Sequence, residues 1–308
     1  MADSRAVTGS REDLLIDSSR CLRMRCSESR CRQCVDICPH SAVSLDGFLA
    51  VNPNHCRACL LCTSVCPSGA LEQRCNFNAC LAQLSRVTEP ILGCIRTKEN
   101  SNAAITCLGG LSEEHLLTLC YSLPNILTLN LSKCMDCSNN AMINHMSQRL
   151  SGLSEAGLLA GGCRFVLTES ATELEFRDES VDRRSFFKSL RNSLFQNAAV
   201  ILSTTHEQTE LRTEYAAKKL PVRRTLLNRI RKDLPLAMET LIRNRFDSRV
   251  TLHNNCTACQ ACVAICPTGA LQTELSDLSP FFDKSLCTGC GLCAEFCLEN
   301  ALLIEPER

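Results

Sequence analysis

The apolar positions of this chain fall in short runs separated by polar turns. Ala42–Leu45 and Phe48–Val51 are two such runs, with Asp46-Gly47 between them. An Asp-Gly pair in that place favours a tight hairpin, because its turn needs positive φ and glycine accepts it without cost. From 77 to 170 the pattern changes. Ile91–Ile95 and Ala103–Cys107 read as short buried strands, and Ser112-Glu113-Glu114 caps a helix running to about Tyr121. A strand over Ile126–Leu131, a helix from about Asn140 to Leu159 and a strand over Arg164–Thr168 follow. Strands alternating with helices predict a mostly parallel α/β sheet. Residues 171–250 carry helix-forming stretches around 184–195, 207–220 and 223–246, interrupted by Pro221 and Pro235. No run reaches the roughly 18 apolar residues of a membrane helix, so no membrane span is expected.

Charge adds little globally, since 33 basic residues face 33 acidic ones. The balance gives no argument for nucleic acid or a membrane surface. Locally it is uneven: Leu211–Arg249 holds eleven Lys or Arg against four Asp or Glu, and Cys256 onward holds seven acids against Lys284 and Arg308. This asymmetry predicts basic helices docked on an acidic surface, either the C-terminal segment or a partner protein, the competing reading being a solvated helix face. No aromatic interleaving or recognised motif accompanies the charge, so no nucleic acid is expected. Asp182–Lys188 resembles a twin-arginine signal, but no apolar segment follows it, and it reads as the start of an amphipathic helix.

Cysteine changes the picture. There are 25 in 308 residues, near the density of a cysteine-defined scaffold. The N-terminus lacks the apolar stretch of a secretory signal, so a reducing, cytoplasmic compartment is expected, which favours metal over disulfide. Cys56–Pro67, Cys256–Pro267 and Cys287–Leu298 share the spacing C-x2-C-x2-C-x3-C. A fourth stretch, Cys26–Pro39, has Cys31, Cys34 and Cys38 in step but a four-residue first gap. Three closely spaced thiolates wrap one corner of a [4Fe–4S] cube, while the fourth leaves the loop and reaches a neighbouring cube. Soft thiolates suit such clusters. Structural zinc would instead use two separated C-x2-C pairs.

The phrases stand two by two, each pair separated by room for one hairpin. Over residues 20–72 and 250–305 the chain resembles the two-cluster bacterial ferredoxins. That resemblance implies four [4Fe–4S] clusters. Cys26, Cys31 and Cys34 would join Cys66, and Cys56, Cys59 and Cys62 would join Cys38. Near the other end, Cys256, Cys259 and Cys262 would join Cys297, and Cys287, Cys290 and Cys293 would join Cys266. Two departures stand out. Leu298 replaces the proline expected after Cys297, and the long first gap leaves Cys21 as an alternative to Cys26.

In the middle domain, Cys94 and Cys107 lie at or near strand ends, and Cys134 and Cys137 follow the Ile126–Leu131 strand. If the strands are parallel, all four thiols meet at the carboxyl edge, where open α/β sheets build their sites. They could hold an additional [2Fe–2S] or [4Fe–4S] centre. A reactive C-x2-C dithiol and plain core packing are the competing readings. The arrangement loosely resembles the small iron–sulfur subunit linking hydrogenase to heterodisulfide reductase. Cys120 reads as core, Cys163 lies at the opposite edge, and Cys75 and Cys80 have no assignment.

The expected architecture is α+β with α/β. It comprises an N-terminal dicluster module (1–76), a parallel α/β domain (77–170), a helical basic linker (171–250) and a C-terminal dicluster module (251–308). No catalytic base, nucleophile or phosphate-binding glycine loop is visible. The expected function is one-electron relay to or from a partner oxidoreductase such as a hydrogenase, dehydrogenase or flavoprotein. The alternative is a redox enzyme whose middle domain carries a reactive dithiol or substrate site.

Overall fold

The computed structural model describes residues 12–159, 164–174, 176, 217–274 and 279–307. The stretches around 184–195 and 182–188, most of 207–220, and Cys163 lie outside the described residues. Residues 217–220 are described and are not helical, because Pro221 follows directly and disfavours the helical conformation before it.

The N-terminal module begins with β1 (Leu14–Ile16), the one-turn helix α1 (Leu22–Arg25) and the equally short α2 (Gln33–Asp36). The hairpin β2 (Val43–Ser44) and β3 (Ala50–Val51) forms where Asp46-Gly47 predicts it, with Gly47 at φ +76°. Then come α3 (Leu61–Val65) and β4 (Leu71–Gln73), and β4 pairs antiparallel with β1. The module is thus pinned at both ends by one ladder, around an apolar cluster of Leu14, Leu49, Val51, Leu60 and Leu71.

After α4 (Phe77–Leu84) the chain enters a four-stranded sheet made of β5 (Ile91–Cys94), β6 (Ala103–Ile105), β7 (Leu127–Asn130) and β8 (Phe165–Thr168). Every pairing is parallel and the order is β6-β5-β7-β8. The helices α5 (Glu113–Ser122) and α6 (Met142–Glu155) cross between β6 and β7 and between β7 and β8. Ser112 caps α5 reciprocally, accepting from the His115 amide while the His115 ring accepts from the Ser112 amide. Leu92, Leu108, Leu111, Leu116, Leu117, Leu119 and Leu129 form the largest core, and Cys59 and Leu61 of the N-terminal module join it.

The basic segment gives α7 (Val222–Arg231) and α8 (Leu236–Phe246), broken at Pro235. Its arginines do not mainly face the C-terminal module. Arg223 pairs with Glu114 at 3.0 Å and Arg245 with Glu113 at 2.7 Å, both at the N-terminus of α5. Arg224 and Arg231 converge on the fully buried Asp247. Among the described pairs, Arg249–Glu305 and Lys284–Glu307 link basic groups to the C-terminal acids, the first exposed and the second with a half-buried Glu307.

The C-terminal module repeats the N-terminal plan. β9 (Ser248–Leu252) leads to α9 (Ala261–Ile265), the antiparallel pair β10 (Leu271–Thr273) and β11 (Pro280–Phe282), then α10 (Leu292–Glu295) and β12 (Leu302–Pro306). β12 closes on β9. No helix among the described residues is long and apolar enough to cross a membrane.

Candidate metal centres

The cysteine loops adopt a conformation that side chains usually avoid. Ala58 and Leu60 flank Cys59 with φ of 52° and 57°, and Ala258 and Gln260 flank Cys259 with φ of 54° and 63°. Gly289 and Gly291 flank Cys290 at 65° and 77°. Left-handed backbone on both sides of the middle cysteine curls the chain around it. Non-glycine residues hold such angles at a cost that functional sites tolerate. The residue three places after each last cysteine is left-handed too: Ser41, Gly69, Gly269 and Asn300. That turn aims backbone amides at sulfur. Ala42 donates to Cys38 Sγ at 3.3 Å and Ala301 to Cys297 Sγ at 3.3 Å. Gly289 donates to Cys287 Sγ at 3.4 Å.

Cys38, Cys56, Cys59 and Cys62 line one recess, with Val43, Val51 and Leu60 supplying apolar walls. Cys21, Cys31, Cys34 and Cys66 line a second, walled by Leu22, Leu45, Leu49 and Leu71. Cys66 therefore sits with Cys31 and Cys34, and Cys38 with the Cys56 loop, so each last cysteine crosses to the other group.

Cys26 is not among the residues lining the second recess. Cys21 is the N-cap of α1 and Cys26 its C-cap, so one helical turn separates them and they face different sides. Cys26 packs instead with Leu22 and Leu292. A sequence signal for Cys21 exists in retrospect. Asp17 caps a short 3-10 turn ahead of Cys21, and Asp283 does the same ahead of Cys287, each accepting from the amide two residues on. Asn52 makes the same local bond ahead of Cys56. A strand, an Asx turn and a cysteine four places later mark the first thiol in three of the four groups.

In the C-terminal module, Cys266, Cys287 and Cys293 share one buried cluster, with Cys262 and Cys297 packed against it. Burial pushes the Cys293 thiol well up, and the nearby Cys290, Cys287 and Cys266 push it further. Cys256 and Cys259 likewise raise Cys262, after burial. Burial also acts on Cys266, but hydrogen bonds from Leu271, Thr268 and Ala270 outweigh it and hold this thiol below its ordinary value. Neighbouring thiols thus add to the rise of Cys293 and Cys262, and the positive iron of a bound cluster would relieve that repulsion.

The middle-domain cysteines also gather. Cys94 ends β5, Cys107 lies two residues past β6, and Cys134 and Cys137 lie in the turn after β7. All are at the carboxyl edge, and the β5/β7 pair is where the strand order reverses. Burial, aided by Cys59 and Cys94, pushes Cys107 up to about 12, and burial aided by Cys94 pushes Cys134 up to about 11. The Gly109 amide donates to Cys107, and Thr97 Oγ1 lies 3.8 Å from Cys94 Sγ. Arg96 donates to Lys133 O and Asp136 O and lies against Cys137. Asn130, fully buried, donates to Asn100 O at 3.0 Å and so ties the β5 and β7 loops together. Cys75 and the buried Cys80 lie near each other around the start of α4, Cys80 within the same apolar core as Cys59, Cys107 and Cys134. Cys120 is disulfide-bonded, where plain core packing was expected.

Every recess offers thiols, amide donors to sulfur and apolar walls. This donor set fits iron–sulfur clusters. Among the described residues no three His, Cys, Asp or Glu side chains converge on a point that would hold one ion. The thiols stand around hollows.

Comparison with known proteins agrees with the terminal modules. A family model for the 4Fe–4S dicluster domain matches residues 255–302, and one for the 4Fe–4S binding domain matches 49–72. The pyruvate synthase subunit PorD of Methanothermobacter marburgensis is 34% identical over 55 residues, covering 18% of this chain and 62% of that protein. The chain therefore spans less than two thirds of that relative. An uncharacterized ferredoxin of Methanocaldococcus jannaschii is 33% identical over 49 residues, covering 15% of this chain and 79% of that protein.

Proposed function

Because this chain belongs to the [4Fe–4S] ferredoxin family, we propose that it relays single electrons through four [4Fe–4S] clusters to or from a partner oxidoreductase. The observation that carries the reading is the crossed grouping of thiols around the two N-terminal recesses, each with its last cysteine borrowed from the neighbouring loop. The proposed ligand sets are Cys21, Cys31, Cys34 and Cys66; Cys38, Cys56, Cys59 and Cys62; Cys266, Cys287, Cys290 and Cys293; and Cys256, Cys259, Cys262 and Cys297. Cys26 gives way to Cys21 in this reading.

The clusters supply one-electron chemistry, while the protein sets their spacing, burial and hydrogen bonds. Apolar walls such as Leu49, Leu60 and Leu71 keep water from the thiolates, and amides of Ala42, Gly289 and Ala301 donate to sulfur. Both features tune reduction potential. Similarity to a pyruvate synthase subunit supports an oxidoreductase as partner.

We extend the proposal to Cys94, Cys107, Cys134 and Cys137 as a fifth iron–sulfur site. Their meeting at the switch point supports it, as does the loose likeness of this domain to the hydrogenase-linked iron–sulfur subunit. The test is iron and acid-labile sulfide on anaerobically prepared protein, with EPR after reduction. About sixteen irons support four cubes, and eighteen or twenty support the fifth centre. Bound zinc without sulfide would overturn the reading. Cys134→Ser separates the alternatives. Loss of one centre's iron supports a cluster there, while unchanged iron with a lost thiol-dependent activity supports a dithiol.

A further inference from the structure

The two ferredoxin modules lie far apart in sequence but touch in space. Leu22, Cys26 and Leu292 form a small buried cluster of their own, and Cys31, Ile265 and Cys290 pack against it. The cluster takes one half from each module. Arg25 Nη1 donates to Ile265 O at 3.3 Å across the same seam. A second link runs beside it. Arg20 Nη2 donates to Lys219 O at 3.2 Å, and the Lys219 amide donates to Pro267 O at 3.0 Å. The seam therefore brings together the recess of Cys21, Cys31, Cys34 and Cys66 and the group of Cys266, Cys287, Cys290 and Cys293.

A matching seam exists at the other side of the N-terminal module. Gly109, two residues after Cys107, sits so close to Cys59 that an added Cβ would lie 2.4 Å from the Cys59 carbonyl oxygen. Asn139, two residues after Cys137, donates to Arg57 O at 2.9 Å and bonds His40 at 3.1 Å. The sheet-edge cysteines thus abut the recess of Cys38, Cys56, Cys59 and Cys62. At the opposite end, Cys259 is the exposed cysteine among those described.

Resting on the relay reading above, we propose that the centres form one unbranched line. Its order is the sheet-edge site, the Cys38/Cys56/Cys59/Cys62 centre, the Cys21/Cys31/Cys34/Cys66 centre, the Cys266/Cys287/Cys290/Cys293 centre and the Cys256/Cys259/Cys262/Cys297 centre. Electrons pass between the modules at the Cys31–Cys290 seam. Each hop oxidises one centre by one electron as its neighbour is reduced by one, and no atoms are exchanged. Cys26 serves this seam as an apolar packing residue, which accounts for a buried thiol that lines no recess. The line ends at the sheet edge and at the solvent-facing Cys259.

The test uses full-length protein reduced with dithionite. Neighbouring reduced cubes couple magnetically, so their EPR lines broaden. Cys287→Ala removes the inner C-terminal cube. It should narrow the signal of the N-terminal pair while total iron falls by about four, one cube's worth. Cys256→Ala removes the outer cube and should leave the N-terminal signal unchanged. If Cys287→Ala has no effect on that signal, or Cys256→Ala has the larger one, the order is wrong. Should Cys287→Ala cost the whole module, Leu292→Trp spares every thiol. It should weaken the coupling at full iron content, and unchanged coupling would overturn the seam. A wild-type iron content near zero sinks the relay itself, whereas sixteen irons without inter-module coupling sink only the line.

Discussion

At the level of single residues, position on a turn decides which thiols can serve. Cys21 and Cys26 are both buried, so burial does not separate them. The one-turn helix between them does, because it sends only Cys21 to the recess. Cys21→Ser should therefore lower iron by about four per chain, and Cys26→Ser should leave it unchanged. Iron and sulfide assays on the two variants check this, and the reverse result would restore the shorter spacing. The glycines offer a second contrast. Gly291 is left-handed but has open space where a Cβ would go, and Leu60 and Gln260 hold the matching positions in other loops. Gly291→Ala should cost about 1 kcal/mol and keep all clusters. Gly109→Ala has no such room, since the obstacle is the Cys59 backbone. It should disturb the seam and speed chelator-driven iron loss well beyond that of Gly291→Ala. Fifteen of the sixteen proposed cube ligands are legible from spacing alone. Spacing offers Cys21 only as the alternative to Cys26, because an inserted helix separates it from Cys31 and the Asx turn at Asp17 is the local feature that marks it.

At the level of elements, the strands and helices of the middle domain follow the apolar pattern closely. Ser112 caps α5 and Pro235 divides α7 from α8 because both act locally, through a side-chain bond and a missing amide. What lay beyond the pattern is tertiary: which acids the basic helices choose. Asp247, fully buried, receives Arg231 through both its carboxylate oxygens at 2.7 and 2.8 Å and also holds Arg224. Asp247→Ala leaves the buried Arg224 guanidinium without its carboxylate and Arg231 with Glu239 alone, and should destabilise the protein by about 3–5 kcal/mol, read from urea midpoints. His115 offers a pH test. Burial holds its pKa down at about 4, and the nearby guanidinium groups of Arg223 and Arg149 also lower it against the pull of Glu114. The unfolded chain binds a proton near 6.5 and the folded chain near 4, so this stabilisation is complete above pH 6.5. It fades as pH falls toward 4, by about 3 kcal/mol in all. His115→Gln keeps a side-chain acceptor at that position of the cap but cannot titrate there. Its urea midpoint should fall less between pH 7 and pH 5 than that of the wild type, and equal falls would exclude His115 as the cause.

At the level of the whole molecule, the modules are joined by arginines buried at their contacts. Arg149 of α6 donates to Gly109 O at 3.0 Å and Leu111 O at 2.6 Å, and reaches Ser64 Oγ of α3. Arg223 of α7 spans the same junction, from Glu114 to Thr63 O at 3.1 Å. These bonds fix the sheet-edge loop carrying Cys107 against the loop carrying Cys59. Burial lowers the pKa of Arg149 to about 10, so it remains charged near neutral pH. Its hydrogen bonds are then charge-assisted, each worth about 1.5–3 kcal/mol when kept and leaving a desolvated acceptor when lost. Arg149→Met fills much the same volume and removes all three. Amides from 59 to 65 and from 107 to 111 should then exchange faster, with local opening easier by about 2–4 kcal/mol, while those of the C-terminal module keep their rates. Faster exchange everywhere would mean that Arg149 supports the fold as a whole. Unchanged exchange at 59–65 would mean that the seam is held by apolar packing, with the guanidinium incidental to it.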